Sequence, residues 1–224
     1  ITRNESDEFA AQSHARAAKA WKKGWFDWET FTVKVPQRRV EDLLFSRDEG
    51  VKPETSVEVL AKLKPVFDNS GQVTAGNAST LNDGASAILL ADESEAIKNG
   101  WEILAFVEDY CTSGVEPHRV MSAPISAIQH LLEKHTLDVL DVDVYEHNEA
   151  FAAASCAVAK QVGIPHDRLN LHGGAISLGH PLGSSGTRCL ITLLGVMRRV
   201  DAKKGIVTLC LGGGNAVAMM ISQG

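Results

Sequence analysis

The sequence predicts an α/β protein in which helices cover a β-sheet. After residue 80, strand-like apolar runs alternate with helical patterns, which is typical of helices packed on a sheet. The last two strand-like runs are separated by Gly212–Asn215, a glycine-rich turn that predicts a hairpin. With 224 residues, of which 44% are apolar and 22% charged, the chain can bury a substantial core.

The first predicted element is a helix that begins with a capping box. Thr2 and Glu5 have the spacing of that motif, and no glycine or proline follows before Lys23. Gly24 can end the helix in a left-handed conformation. The segment Trp25–Arg47 mixes aromatic and charged residues without a clear period, and we expect strands and loops there.

A second part of the chain precedes the alternating region. Ser56–Leu63 has a helical pattern that Pro65 would limit, and Val73–Ser79 is small and polar, as expected of a loop. We place a domain boundary at residue 81, which divides the chain into 1–81 and 82–224.

The alternating region contains five predicted strands and three predicted helices. The strands are Ala85–Ala91, Ile103–Tyr110, Val142–Glu146, Ile206–Leu211 and Ala216–Ile221. The helices are Ile125–His135, Asn148–Val162 and Thr187–Val200.

Composition excludes several classes of function. The formal net charge of −6 disfavours a nucleic acid or an anionic membrane as a partner. The longest nearly apolar stretch, Ala150–Ala159, is shorter than the roughly 20 residues of a membrane span. The polar start Ile1–Glu5 does not resemble a signal peptide. We therefore expect a soluble cytoplasmic protein.

The cysteines predict neither a metal site nor a disulfide framework. They are far apart and form no Cys-x-x-Cys pair. Each is thus either a small buried apolar residue or a reactive thiol. The four positions are Cys111, Cys156, Cys189 and Cys210.

Three segments carry side chains suited to chemistry. Asn148 follows a predicted strand, at the edge of the sheet where ligands commonly bind in α/β proteins. His180 lies in the glycine-rich segment Gly173–Gly186, and Cys210 ends a strand just before the Gly212–Gly214 turn. Taken singly, each feature is more often structural than catalytic.

In combination, these segments resemble the signature blocks of the thiolases. The blocks are Asn148-Glu-Ala-Phe151-Ala, Gly173-Gly-Ala-x-x-x-Gly-His180-Pro-x-Gly-x-Ser-Gly186 and Cys210-x-Gly-Gly-Gly214. The resemblance extends through Asp7-Glu-Phe-Ala10, Ser13-His14, Leu60–Phe67, Thr74-Ala-Gly-Asn-Ala-Ser79 and Asn82-Asp-Gly-Ala85. It implies a layered αβαβα fold, of which this chain supplies the C-terminal half and, in residues 1–81, part of the loop domain.

The resemblance also implies the chemistry of the site. Thiolases make or cleave a 3-oxoacyl-coenzyme A through an acyl-cysteine, with a second cysteine as acid and base. Cys210 matches that second cysteine, and His180 matches the histidine that activates the nucleophile and helps hold the thioester oxygen. Asn148 matches the residue that positions a water for the same oxyanion site. The backbone N–H of Gly212 matches a donor of the second oxyanion site.

Coenzyme A or acyl-coenzyme A would be a substrate, and no permanently bound cofactor is implied. Lys52 stands where many thiolases have an arginine that stacks on the adenine, and it retains the charge without the planar surface. The family's usual glycine two residues beyond the Gly-Gly-Gly run is Ala216 here. The expected contacts to the substrate come from Ser79, Ala75, Gly76, Lys52, Phe151 and Met121.

None of the four cysteines matches the acylated cysteine of thiolases. We therefore expect an N-terminal thiolase half, in a separate or cleaved chain, to complete the site and to form a dimer or tetramer with it. The favoured reaction is the formation of acetoacetyl-CoA from two acetyl-CoA, and the reverse. Chain-length preference and direction stay open. The alternative is a non-catalytic coenzyme A-binding or scaffold subunit.

Overall fold

The computed structural model describes residues 1–224 and contains a four-stranded mixed sheet with helices on both faces. The α/β prediction is confirmed. The sheet order is β3-β6-β5-β4, and β1 and β2 form a separate antiparallel pair. The bounds are α1 Arg3–Lys22, β1 Val33–Val35, β2 Leu43–Phe45, α2 Val57–Leu60, α3 Glu93–Asn99, β3 Phe106–Gly114, α4 Ala123–Lys134, β4 Val144–His147, α5 Ala152–Val162, α6 Ala175–Leu178, α7 Ser185–Val200, β5 Lys204–Leu211 and β6 Asn215–Ser222.

The predicted start and end of α1 are confirmed. The Thr2 hydroxyl accepts from the backbone N–H of Glu5, and the Glu5 carboxylate accepts from the backbone N–H of Thr2. Gly24 follows the helix with φ of 67°, the left-handed conformation that glycine adopts without a steric penalty.

The sheet separates two apolar cores, and successive side chains along a strand point alternately into one core and the other. Tyr145 and Ile206 face one core, together with residues of α1, α4 and α5. Val144 and Val207 face the other core, which α7 covers with residues such as Leu193. Both faces of β4 and β5 are therefore largely buried, and polar side chains reach a site at the ends of these strands.

The strands β4 and β5 are parallel, and the chain crosses between them through α5, α6 and α7. The register pairs His147 with Thr208, and the backbone N–H of Asn148 donates to the Thr208 carbonyl at 3.0 Å. Because carboxyl ends of parallel strands meet at one edge, Asn148 and Cys210 belong to the same edge of the sheet.

The hairpin prediction for the last two strands is confirmed. β5 and β6 pair antiparallel from Lys204 opposite Ser222 to Leu211 opposite Asn215. Ala216, which replaces a glycine of the thiolase pattern, is the second residue of β6 and is fully buried. An alanine therefore fits this place as an ordinary strand residue.

The prediction of a strand at Ala85–Ala91 is wrong. This segment has no regular structure, and Leu89 and Leu90 are exposed. A strand forms where a second strand accepts and donates backbone hydrogen bonds, and no strand lies beside this segment.

Two predicted helices are shorter in the structure. The helix predicted over Asn148–Val162 begins only at Ala152, because the backbone N–H of Ala152 donates to the Asn77 carbonyl and Phe151 is extended. The helix predicted over Ser56–Leu63 is reduced to α2. Asn148 consequently lies in the irregular segment between β4 and α5, and it is not part of the helix.

Candidate active site

Asn148 and His180, which are 32 residues apart in the chain, are in direct contact. The Asn148 Nδ2 atom lies 3.3 Å from the His180 Nε2 atom, and the His180 Nδ1 atom lies 2.6 Å from the Ser185 Oγ atom. The Ser185 hydroxyl donates to the Pro181 carbonyl, so it accepts from the His180 Nδ1–H group. That arrangement leaves a lone pair on Nε2, which accepts from Asn148.

His180 is prepared to act as a base. Burial lowers the pKa of its imidazole, and the positive charge of Arg188 lowers it further. A neutral ring with an unprotonated Nε2 atom can take a proton from a thiol or hold one against an oxyanion.

The backbone around His180 is held by the segment that follows Ser79. The His180 N–H donates to the Thr80 carbonyl at 3.0 Å. Gly179 has φ of 92°, and a Cβ atom there would lie 2.3 Å from the Asn82 amide oxygen. Glycine is therefore favoured before His180, chiefly because other residues rarely adopt this φ, and a side chain would also displace Asn82.

Cys210 is half-buried near the end of β5, and its thiol contacts Met121. The two sulfur atoms, Cys210 Sγ and Met121 Sδ, are 3.9 Å apart. Burial raises the pKa of the Cys210 thiol, so it carries its proton at neutral pH. No hydrogen bond joins Cys210 to Asn148 or His180, although all three lie at the same edge of the sheet.

In the glycine turn after Cys210, Gly212 has space for a side chain and Gly214 does not. A Cβ atom on Gly212 would meet no atom within 4 Å, so its exposed backbone has free space beside it. Gly214 has φ of 96°, and a Cβ atom there would lie 2.2 Å from the Val115 carbonyl oxygen. The turn is therefore packed against the chain at Gly214 and exposed at Gly212.

Most residues expected to contact coenzyme A lie in one neighbourhood. The backbone N–H of Ser79 donates to the Ala150 carbonyl, which places the loop containing Ala75 and Gly76 beside Phe151. Phe67 contacts Phe151 edge to face, with ring centroids 6.1 Å apart.

Lys52 and Met121 are placed outside that loop. Lys52 is exposed, and its side chain forms no hydrogen bond or ion pair, while its backbone N–H donates to the His14 Nδ1 atom. Met121 lies beside Cys210 instead. The assignments of all ten site residues remain predictions.

Sequence reasoning missed a buried charge cluster beside the site. The Arg188 Nη1 atom donates to the Glu146 carboxylate at 2.9 Å. Burial raises the pKa of Glu146 to about 8, and that of Glu29 to about 8, although Arg188 opposes both shifts. The available signal was a charged residue, Arg188, on the first turn of α7, followed by the largely apolar run from Cys189 to Met197.

Two further properties concern possible ligands. No group of three or more His, Cys, Asp or Glu side chains is arranged to hold a metal ion. None of the helices combines the length and the apolar character needed to span a membrane.

Comparison with known proteins identifies the family. The family model described as "Thiolase, C-terminal domain" matches residues 101–223, and the model described as "Thiolase, N-terminal domain" matches residues 1–94. The chain is 48% identical over 223 residues to the acetyl-CoA acetyltransferase of Chromobacterium violaceum. It is 44% identical over 224 residues to a probable acetyl-CoA acyltransferase of Staphylococcus epidermidis.

Solved structures agree with this match. The crystal structure of the Bacillus anthracis acetyl-CoA acetyltransferase has a TM-score of 0.96 at 40% identity and covers 99% of this chain. Human mitochondrial 3-ketoacyl-CoA thiolase has a TM-score of 0.90 at 37% identity and covers the whole chain. The layered thiolase-like fold is therefore confirmed.

The chain spans 57% of the length of the Chromobacterium violaceum relative and 56% of each of the two structures. The match of residues 1–94 to the N-terminal domain corrects one expectation. The chain is more than a C-terminal half with the end of a loop domain, because it also includes residues of the N-terminal domain. The boundary at residue 81 stays a prediction. With both family models matched, the chain belongs to the thiolase family.

Proposed function

We propose that this chain forms part of a thiolase-type acyltransferase that makes or cleaves a 3-oxoacyl-coenzyme A, with acetoacetyl-CoA as the favoured product of two acetyl-CoA. The observation that carries the proposal is the contact between Asn148 and His180 at the strand edge that also contains Cys210. The relatives named acetyl-CoA acetyltransferase support this choice of acyl group.

The proposed chemistry starts with acylation of a cysteine outside the residues described. His180 takes the proton of that cysteine, whose sulfur attacks the thioester carbonyl of acetyl-CoA. The protonated Cys210 thiol then gives its proton to the departing coenzyme A thiolate. The raised pKa of Cys210 supports this order, because the resting residue has a proton to give.

The second half-reaction forms the carbon–carbon bond. The Cys210 thiolate left by the first step removes a proton from the methyl group of a second acetyl-CoA. The resulting carbanion attacks the acyl-cysteine carbonyl, the cysteine sulfur leaves with the electron pair, and the protonated His180 returns its proton to that sulfur. Asn148, through a water, and His180 would stabilise one oxyanion, and the Gly212 N–H would stabilise the other.

Two of the other cysteines, Cys156 and Cys189, do not suit the role of nucleophile, and the third, Cys111, lies on β3 and packs against the core. Cys156 and Cys189 lie in α5 and α7, and burial raises their pKa values to about 11 and about 12. A thiol of that kind is unreactive at neutral pH. We therefore propose that a further thiolase segment supplies the acylated cysteine.

Exposed apolar side chains support contact with such a segment and assembly into a dimer or tetramer. Between residues 81 and 107, large apolar side chains face solvent over a continuous part of the chain. Soluble proteins seldom expose a patch of this kind unless another surface covers it. The residues are Leu81, Leu89, Leu90, Ile97, Trp101, Ile103, Leu104 and Val107.

The test is the Cys210→Ala variant, assayed for thiolysis of acetoacetyl-CoA in the assembled protein with its reactive cysteine present. Loss of the acid and base is expected to lower kcat by about 10²- to 10⁴-fold. The matched control is Cys111→Ala, which removes a half-buried thiol from β3 of the same sheet and is expected to leave the rate unchanged. An unchanged rate in Cys210→Ala would contradict the proposal and favour a non-catalytic coenzyme A-binding subunit.

A further inference from the structure

Glu149 is a fully buried carboxylate that the proposed chemistry does not use. It follows Asn148 directly in the chain, and 1% of its surface is exposed. Its Oε2 atom accepts from the Ser13 hydroxyl at 2.6 Å and from the Ile176 N–H at 3.2 Å, and its Oε1 atom accepts from the Asn170 amide at 2.8 Å. The donors come from α1, from α6 and from the loop before α6.

The carboxylate also determines the backbone of the glycine-rich segment. A Cβ atom on Gly174 would lie 2.4 Å from the Glu149 Cδ atom and 2.7 Å from each carboxylate oxygen. The Gly174 N–H donates to the Ser13 hydroxyl at 3.2 Å. Gly174 is therefore glycine because its backbone packs directly on the carboxylate.

Asn170 connects Glu149 to the strand that ends at the site. Its side-chain amide donates to the His147 carbonyl and to Glu149, and its side-chain oxygen accepts from the His147 N–H, each at 2.8 Å. A single side chain thus holds the residues on both sides of Asn148.

Glu149 is also connected to His180, through the short helix α6. It accepts from Ile176 in α6, and α6 ends at Leu178, followed by Gly179 and His180. The carboxylate therefore joins the segment that carries Asn148 to the segment that carries His180. Burial raises the pKa of the Glu149 carboxyl group, and its three hydrogen bonds oppose that shift. A buried carboxyl group that accepts three hydrogen bonds is a rigid junction, because loss of any bond leaves a buried donor unsatisfied.

We propose that Glu149 is a positioning residue that holds Asn148 and His180 in register for oxyanion stabilisation. This inference rests on the proposed function. Displacement of a catalytic group by about 1 Å can cost about 10²-fold in rate. We therefore expect replacement of Glu149 to lower the rate of the reaction as well as the stability of the fold.

The main test is Glu149→Gln in the assembled protein. A glutamine has one acceptor oxygen, so its amide N–H group would face the N–H of Ile176 or the amide of Asn170. We expect kcat for thiolysis to fall about 10- to 100-fold while KM for coenzyme A changes less than about two-fold. The reason for the split is that none of the three groups that donate to Glu149 lies in the loop around Ser79, where the coenzyme A contacts are expected.

A pH profile separates this role from a structural one. The Asn148 amide donates to the neutral His180 ring, and a hydrogen bond to the neutral form lowers the pKa of a base. If Glu149→Gln moves Asn148 away, the acid limb of the kcat/KM profile shifts to higher pH. A variant that melts earlier but keeps the parental kcat and acid limb would overturn the proposal.

Ser13→Ala is the second variant, in case Glu149→Gln does not fold. It removes one donor and leaves the charge, so kcat is expected to fall a few-fold with KM unchanged and with the same direction of shift in the acid limb. Unchanged kcat and acid limb in Ser13→Ala would also overturn the proposal. If Cys210→Ala is inactive while Glu149→Gln is fully active, this inference fails alone, whereas an active Cys210→Ala contradicts the proposed function itself.

Discussion

The Asn148–His180 pair shows how one hydrogen bond can set the protonation state of a site. The Ser185 hydroxyl donates to the Pro181 carbonyl and accepts from the His180 Nδ1–H group, while the Asn148 amide donates to Nε2. The Ser185 contact fixes the tautomer, and the Asn148 contact favours the neutral imidazole that a base requires. Burial acts in the same direction on the pKa of His180.

The first prediction concerns the pH dependence of the reaction. Because His180 must be neutral and its pKa lies below the ordinary 6.5, the acid limb of kcat/KM is expected to have its midpoint below pH 6.5. Asn148→Asp places a carboxylate against Nε2, which favours the imidazolium, so the midpoint is expected to rise while kcat falls.

Steady-state rates of thiolysis between pH 5 and 8 check this expectation. Asn148→Ala is the matched variant, because it removes the donor without adding a charge and should shift the acid limb less than Asn148→Asp. A parental midpoint above pH 6.5, or an unchanged midpoint in Asn148→Asp, would contradict the assignment of His180 as the base.

At the scale of elements, the β5–β6 hairpin holds the turn that contains Gly212. At Gly214 the turn packs against the segment after β3, where the Val115 N–H donates to the Gly214 carbonyl at 2.7 Å. The positive φ and the approach of the Val115 carbonyl both require glycine at residue 214.

The second prediction compares two alanine substitutions in this turn. Gly214→Ala is expected to lower the free energy of unfolding by at least about 2 kcal/mol, because it combines a left-handed residue with a clash against backbone. Gly212→Ala is expected to change it by less than about 0.5 kcal/mol, since its Cβ atom meets open space. Urea unfolding midpoints of the assembled protein measure both, and equal midpoints for the two variants would contradict the turn geometry.

Across the whole molecule, buried neutral histidines connect stability to pH. His147 is fully buried on β4 with neither ring nitrogen hydrogen-bonded, and burial lowers its pKa to about 4. His172 is buried beneath Trp25 and accepts from the Arg199 guanidinium, and its pKa is also lowered to about 4.

The third prediction is that these two histidines destabilise the fold on acidification. The unfolded chain binds a proton on each histidine near pH 6.5, while the folded protein binds it only near pH 4. The contribution of each histidine to the free energy of unfolding is therefore fully present above about pH 6.5 and declines as the pH falls toward 4. His147→Leu is expected to reduce that slope, by up to about 3 kcal/mol over the interval.

Thermal or urea unfolding of the assembled protein at several pH values checks this expectation. At pH 7.5 the ring is neutral in both states, so the difference between His147→Leu and the parent there reports packing alone. A variant that retains the full parental slope between pH 6.5 and 4 would show that His147 does not titrate as its burial implies.

Local sequence signals correctly predicted the elements in which the hydrogen-bonded residues are only a few positions apart in the chain. The capping box at Thr2 and the glycine turn after Cys210 are of this kind, and both are confirmed. The segment Ala85–Ala91 has the same apolar character as a true strand and is irregular, because its structure depends on a partner that the local sequence does not contain.

The α/β class, the family membership and the residue types of the candidate site follow from apolar periodicity and motif spacing alone. The contact of Asn148 with His180, the protonated thiol of Cys210 and the three segments that Glu149 connects emerge only when the chain is folded. Such contacts join residues that are as many as 136 positions apart, and the burial that sets their pKa values comes from the packing of whole layers.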